Sequence, residues 1–574
     1  MFDSIKWLTV YEMVLCLLHL FILVRYAVPV TRKSYRWIDF LPSAGMVIAL
    51  VSFLAGDSSI LAIAFYFLTV LLFLSTIGRL LKPAPAFAAP KGVIVKITRV
   101  VLSLCGIIFI GIAIMSAGEI RYNPVSNFSQ MSYSDAFVRL NERLSVEYPF
   151  GEWKRIDWEG QRQKYEPLFK QAEQTGDKAL YYKTLREYLA SMRDGHIRIA
   201  NDKLYDNPIY KQEGGGGFGL STLRLDNGKV LVTLVLKDSP ADRSGIRAGA
   251  EITKWNGEEA RQAYQNTEWS DSPNTNQNEN VNRGRFMVRA AIGQEVEVEF
   301  KNTGATETVI AKLTAYDDQY ETLRKTKPQI VRGAPSVEGE ILSNGYGYVR
   351  ISSFLSNTAV RSENSLKSLL SSHSASDPAM ILKEQLESFL DKGVKGLIID
   401  LRDNPGGEDS LVVKMAGYFV NQGKRYSYAS YYNRNTGKFE RNSGEDYVIK
   451  PSQPYFNGKI AILVNGRTAS SGEGLPLALK GMPNVTIVGF TGTNGSFGIM
   501  TSPIIVEMPE GYTVESADGR ALDEKGIIQG DGDYTGRGGA VPDVIIPLNE
   551  ETFTAKYVEG QDVELKYAIE AMEK

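Results

Sequence analysis

Two glycine-rich signatures and one upstream histidine carry the residue types from which acyl-transfer chemistry is built. The stretch 396–407, Gly-Leu-Ile-Ile-Asp-Leu-Arg-Asp-Asn-Pro-Gly-Gly, reads as a buried strand running into a tight backbone turn. The stretch 461–473, Ala-Ile-Leu-Val-Asn-Gly-Arg-Thr-Ala-Ser-Ser-Gly-Glu, is a second buried strand that ends in a small-residue turn with Ser470 at its tip. The chain has 3 histidines, and His196 stands in Met192-Arg-Asp-Gly-His-Ile197. A serine at a strand-to-helix turn, a glycine turn with backbone amides to offer and an imidazole base are the parts of a serine hydrolase.

Those parts need elements to hold them. The continuous apolar strands Val394–Leu401, Lys459–Val464 and Val485–Val488 alternate with the helical stretches Ala379–Asp391, Leu411–Val420 and Leu475–Lys480. That pattern predicts a largely parallel sheet with both faces covered, over 330–574. Tyr426–Tyr455, rich in tyrosine, predicts an antiparallel excursion beside the site. Upstream, Phe137, Leu140 and Leu144, then Tyr181, Leu185, Tyr188, Leu189 and Met192, recur at helical spacing, so residues 121–205 form a helical cap. Residues 206–315 read as short strands and turns, closed by the strict alternation of Val296-Glu-Val-Glu-Phe300. A polar, Asn-rich insert from Thr267 to Arg285 interrupts them and is expected to be a mobile surface loop.

Before residue 120 the composition changes. The apolar runs Leu8–Val30, Phe40–Ala55, Ile60–Leu81 and Val93–Ala117 approach the twenty or so residues a bilayer crossing needs, predicting an all-α transmembrane region over 1–120. Arg25, Arg32, Lys33 and Arg36 flank one connection and Arg79, Lys82, Lys91, Lys96 and Arg99 another, whereas Gly56-Asp-Ser-Ser59 carries no positive charge. The positive-inside rule then sets everything after Ala117 on the extracytoplasmic side of a multi-pass cell-membrane protein, with the lipid bilayer as a partner. Glu12 and His19 share a helical face and are read as packing groups.

Other chemistries are poorly provided for. The formal net charge is -2, which argues against non-specific nucleic-acid binding. The 2 cysteines, Cys16 and Cys105, lie in apolar runs, and no His-Glu-x-x-His spacing occurs, so neither a metal site nor a cofactor is expected.

Taken together, Tyr346-Gly-Tyr-Val-Arg-Ile-Ser-Ser-Phe354, the Asn404-Pro-Gly-Gly407 turn and the Thr468-Ala-Ser-Ser-Gly-Glu473 turn, following the β-rich segment, resemble the C-terminal processing peptidases and their tricorn-like relatives, over residues 133–547. The resemblance implies a serine endopeptidase with an α/β core of the ClpP/crotonase-like type, acting on polypeptides without a cofactor. It places the nucleophile at Ser470 and an oxyanion hole at the amide of Ser471 with one from Gly406 or Gly407. The segment Gly214–Leu313 resembles a PDZ domain, with Gly217, Phe218, Gly219 and Leu220 as the loop that captures C-terminal carboxylates. The overall class is then multi-domain: transmembrane bundle, helical cap, PDZ-like β domain and α/β protease core.

The chain departs from the processing peptidases at the base. Their lysine turn corresponds to Gly489-Phe-Thr-Gly-Thr-Asn-Gly-Ser-Phe-Gly498, which has no lysine. The tricorn-like branch uses a histidine in the position of His196, which implies a Ser470–His196 pair. Glu473 and Asp533 are candidates for the third group. Two rivals stay open: a catalytically weak PDZ-bearing membrane scaffold or sensor, and a lysine base from elsewhere such as Lys525.

Overall fold

The computed structural model describes residues 125–327, 335–355, 377–434 and 436–574. The chain divides into two compact units, Met1–Ser126 and Asn127–Lys574, and all of the site lies in the second. That unit begins with three helices, α1 (Tyr133–Glu147), α2 (Trp158–Thr175) and α3 (Lys178–Ala190). Each starts at a side-chain cap, Ser132, Asp157 and Asp177, whose oxygen accepts a first-turn amide. They bury an aromatic core in which Phe137 stacks on Phe169 and meets Tyr188 edge-on. After α3 the chain turns through Asp194-Gly195-His196 into β1 (Arg198–Ile199).

The β-rich segment contains β2 (Leu220–Arg224), β3 (Val230–Val235), β4 (Glu251–Trp255), β5 (Glu295–Lys301) and β6 (Val309–Thr314), in the sheet order β6-β5-β4-β3-β2. Alternate residues of β5, Val296, Val298 and Phe300, face its core, as period-two alternation requires. The Thr267–Arg285 insert differs from the expected mobile loop. Some of its asparagines are spent within it: Asn278 accepts from the Thr275 amide at 2.8 Å, and Asn282 donates to Asn274 at 2.8 Å. It leads into helix α4 (Glu279–Phe286), which covers the edge strand β2. Thr222 Oγ1 donates to Gly284 O at 2.8 Å, and Asn280 Nδ2 donates to Arg224 O at 2.9 Å. An edge so covered is not open to further pairing.

The remainder is built on a six-stranded sheet of β7 (Val337–Ile341), β8 (Gly347–Ile351), β9 (Leu397–Asp400), β12 (Ile460–Leu463), β13 (Val485–Gly489) and β17 (Val544–Ile545), hydrogen-bonded in that order. All neighbours from β8 to β17 are parallel, and β7 runs antiparallel at the edge. Helices α5 (Pro378–Asp391), α6 (Asp409–Ala416) and α7 (Ser471–Leu479) contribute to the core on one face, which takes Leu397, Ile399, Ile460 and Ile462. Helix α8 (Val563–Glu573) contributes to the other, which takes Ile398, Ala461 and Leu463. Both faces being dry explains why these strands read as unbroken apolar runs. The tyrosine-rich segment forms β10 (Lys424–Asn433) and β11 (Lys438–Ile449), an antiparallel pair joined by β16 (Gly519–Leu522). Strands β14 (Ile504–Glu507) and β15 (Thr513–Ser516) pair with each other, and β15 receives β1 from the cap.

The expected fold class needs correction. Among the described residues no helix is long and apolar enough to cross a membrane, and the fold is an α/β core with an appended helical cap and β-rich segment. Even α2, at 18 residues, buries only Tyr165, Phe169 and Ala172 and carries charges around the rest of its circumference. The four runs expected to form a bundle over 1–120 lie outside the described residues.

A buried ion pair closes the insert on itself, and the same arginine ties it to the chain beyond. Arg285 is 2 % exposed and grips Asp271 through two bonds of 2.8 Å, with further bonds to Leu323 O and Thr326 Oγ1. Burial would raise the Asp271 carboxyl, but the Arg285 guanidinium overrides it and holds the group well below the usual carboxylate range. Its stabilising contribution is therefore whole above the ordinary carboxylate range and is lost progressively as pH falls through that range into stronger acid. Asp271→Ala strands a buried guanidinium and should cost about 3–5 kcal/mol; urea unfolding at neutral pH checks it.

Candidate active site

Ser470 caps α7 and has φ 53 and ψ -135, a conformation rarely adopted by a residue with a side chain. Such a backbone persists only where its surroundings hold it. The Ser470 amide donates to Ser496 O at 3.0 Å, and the preceding Ala469 amide donates to Asn404 O at 2.9 Å. The effect is to lift the hydroxyl onto the tip of a sharp strand-to-helix turn.

Asn404 is the hub of the neighbouring glycine turn. Fully buried, it donates from Nδ2 to Ile351 O at 2.9 Å and accepts the Gly406 amide on Oδ1 at 2.9 Å. Gly406 (φ 103) packs directly on the serine: a Cβ there would stand 2.7 Å from Ser470 Cβ. Gly407 (φ 146) is pressed as closely on Phe354, where a Cβ would come within 2.2 Å of the carbonyl oxygen. Only glycine fits at either position. Because the Gly406 amide is spent on Asn404, the donors left for an oxyanion are the amides of Gly407 and Ser471. Ser471 is the first residue of α7, where an amide has no partner within its own helix. Its hydroxyl donates to Gly407 O at 3.0 Å, which joins the two amide-bearing residues.

His196 arrives from the cap and lines the same cleft as Ser470, of ≈ 1710 Å³, along with Gly195, Asn494 and Ser496. It is the one histidine among the described residues. No direct hydrogen bond joins Ser470 to His196 in this form, and such bonds often tighten only when substrate is bound. A shared loop brings them together: Ser496 takes the Ser470 amide on its carbonyl and the Gly195 amide on its hydroxyl at 2.7 Å. Burial pushes the imidazole below its ordinary value, partly offset by Asp194, so the ring is neutral and fit to accept a proton at neutral pH.

Glu473 is placed elsewhere than beside the imidazole. Its carboxylate accepts from Thr493 Oγ1 at 2.5 Å, the Gly495 amide at 2.9 Å and the Ser496 amide at 2.9 Å. It therefore fastens the 493–496 loop to α7, and through Ser496 it reaches the Ser470 turn and the turn before His196. The turn without a lysine is in this way a structural clamp. Asp533 caps a turn, accepting from the Thr535 and Arg537 amides, and lines a separate cavity of ≈ 420 Å³. Lys525 is exposed in another turn and lines neither cavity. Gly217, Phe218, Gly219 and Leu220 are buried, with the Gly217 amide donating to Tyr316 O at 3.0 Å and Phe218 edge-on to Trp255. None of the four lines the Ser470 cleft.

Two buried carboxyls that sequence reasoning passed over are Asp194, beside the histidine, and Asp531, which neighbours Asp194. Asp194 Oδ1 accepts the His196 amide at 2.8 Å and stands 3.7 Å from Nδ1, while Oδ2 accepts from Tyr148 at 2.7 Å. Burial alone would raise its carboxyl, but the Lys154 ammonium and His196 hold it below the usual range. Asp531 is buried with both carboxylate oxygens lacking hydrogen-bond partners, and burial followed by the neighbouring Asp194 pushes it well above that range. The run Gly530-Asp-Gly-Asp533 offers two acids, and nothing in its pattern says which one turns inward.

With this geometry in view, residues 345–545 match the family model for peptidase family S41. The chain is 27 % identical over 310 residues to carboxy-terminal processing protease CtpA of Bacillus subtilis (strain 168), covering 52 % of this chain and 52 % of the relative. It is 24 % identical over 310 residues to CtpB of the same organism, covering 53 % and 52 %. The chain thus spans about half the length of these curated relatives. Mature CPAF complexed with lactacystin shares the fold, with a TM-score of 0.53 at 13 % identity over 77 % of this chain and 99 % of that one. These matches support the class of serine protease hydrolases. Within it, they support the S41 C-terminal processing peptidases as the family to which the core is related.

Burial raises the Glu473 carboxyl to about 7 against hydrogen bonds that lower it. A raised acid favours the folded state while protonated, so its contribution declines as pH climbs from about 4.5 to about 7. Glu473→Gln should flatten the pH dependence of unfolding free energy over that window; urea titrations at several pH values read it.

Proposed function

We propose that the chain is a serine endopeptidase that cleaves polypeptides through an acyl-enzyme on Ser470. The single observation that carries this reading is the strained Ser470 turn, packed on Gly406, in one cleft with a buried neutral histidine. In the first half-reaction Ser470 Oγ attacks the scissile carbonyl carbon and His196 takes the hydroxyl proton. The carbonyl oxygen, now anionic, is met by the amides of Gly407 and Ser471. Collapse breaks the C–N bond, and the imidazolium returns its proton to the leaving amine. Water, deprotonated by the same imidazole, then attacks the ester, and Ser470 leaves as the free hydroxyl. Asp194, 3.7 Å from Nδ1, favours the imidazolium that forms in each half.

The β-rich segment is assigned the handling of substrate by its C-terminus, as a PDZ-like module. The covered edge of β2 favours gating over passive capture, because a peptide must displace the α4 contacts at Thr222 and Arg224 to add as a strand.

Labelling by a fluorophosphonate tests the reaction chemistry. The wild-type chain should be labelled at Ser470, Ser470→Ala should not be labelled, and His196→Ala should react about 10²–10⁴-fold more slowly. Wild-type labelling that persists in Ser470→Ala would overturn the assignment.

A further inference from the structure

The two reacting side chains come from the cap and the core, yet both segments are touched by a third part of the chain. The 275–279 stretch of the insert lies against the turn before the serine and against the turn before the histidine. On the serine side, Gln277 O packs on Gly466, where a Cβ would come within 2.2 Å, and Gln277 Oε1 accepts the Gly492 amide at 3.2 Å. On the histidine side, Arg193 Nη1 donates to Asn276 Oδ1 at 2.6 Å and to Glu279 Oε2 at 2.9 Å. Arg283 holds the other Glu279 oxygen at 2.7 Å, so the carboxylate is fixed from both sides.

Arg193 is well placed to transmit that grip. It directly precedes Asp194-Gly195-His196 and has φ 49, a left-handed conformation unfavourable for an arginine. Its carbonyl and that of Met192 both accept from Lys154 Nζ, at 3.0 and 3.1 Å. The backbone is thus held by the cap and the side chain by the insert. The Arg193 side chain is 46 % exposed, so the pair's contribution to overall stability is modest. What it can do at small energetic cost is select one orientation of a strained turn.

We infer that Arg193, gripped by Asn276 and Glu279, is a positioning residue that sets His196 in the Ser470 cleft, so that the β-rich segment completes the site. The inference rests on the Ser470–His196 reading for its catalytic meaning, but the placement of His196 is measurable without catalysis. The charged groups facing the imidazole are Asp194, Lys154, Arg198 and Glu515. None of them is changed by substitution of Asn276 or Glu279.

The experiment uses the full chain with ¹³C-labelled histidine. Only 3 histidine signals arise, and His196→Gln identifies the one of interest. The His196 titration midpoint is compared in wild type, the Asn276→Ala/Glu279→Gln double variant and Arg193→Lys, alongside thermal unfolding and fluorophosphonate labelling. Loosening the turn admits water to the ring, so the double variant should titrate higher by about half a pH unit. It should also label about tenfold more slowly while its unfolding midpoint stays that of wild type. Arg193→Lys, which keeps the charge but not the fork, should lie between. A double variant with an unshifted His196 midpoint and wild-type labelling would overturn the inference. A wild type that resists labelling while the midpoint still moves would support the positioning role and count against the acyl-enzyme instead.

Discussion

Ser470 occupies a backbone conformation that disfavours any residue with a side chain, at a cost of about 1–3 kcal/mol. Much of the site is the apparatus that makes this conformation the stable one. Asn404 holds the chain before it, Ser496 holds its own amide, and Gly406 yields the space into which its Cβ packs. Asn404 in turn hangs from β8 and Ser496 from the Glu473 carboxylate on α7. Losing any of the hydrogen-bonded supports leaves a buried polar group unpaired as well as a relaxed turn, so the serine is positioned by the sheet as well as by its loop.

The same economy explains the turn that lacks a lysine. Residues 493–496 provide no base; they provide a carbonyl for Ser470, a hydroxyl for Gly195 and two amides for Glu473. The histidine proposed as the base comes from the cap instead, delivered by the pairing of β1 with β15 and by the left-handed step at Arg193. A neutral imidazole is maintained by burial against the pull of Asp194, which is the balance a general base near neutrality requires.

The parallel sheet was legible because burial on both faces writes continuous apolar runs into β9, β12 and β13, and the cap because its aromatic stripe keeps helical spacing. The serine and glycine turns were legible for a similar reason: strand, tight turn and helix follow one another within a few residues. What could not be read was set by contacts distant in sequence. Gly406 and Gly407 look alike, yet only the position of Asn404 Oδ1 decides which amide is spent. Glu473 sits one turn from Ser470 and was a reasonable orienting acid, but the fold turns it toward Thr493. Asp531 and Asp533 differ only in which way a glycine-rich run curls. The Asn-rich insert carried the composition of a loop, but its asparagines hold it together and bind it to the cap and to β2.

The central claim is that peptide-bond cleavage passes through Ser470. Incubating the full chain with an unfolded polypeptide, and reading the products by mass spectrometry, addresses it directly. The account predicts new peptides from the wild type, an adduct on Ser470 when the reaction is quenched early, and no cleavage by Ser470→Ala. Equal cleavage by the wild type and Ser470→Ala would contradict it.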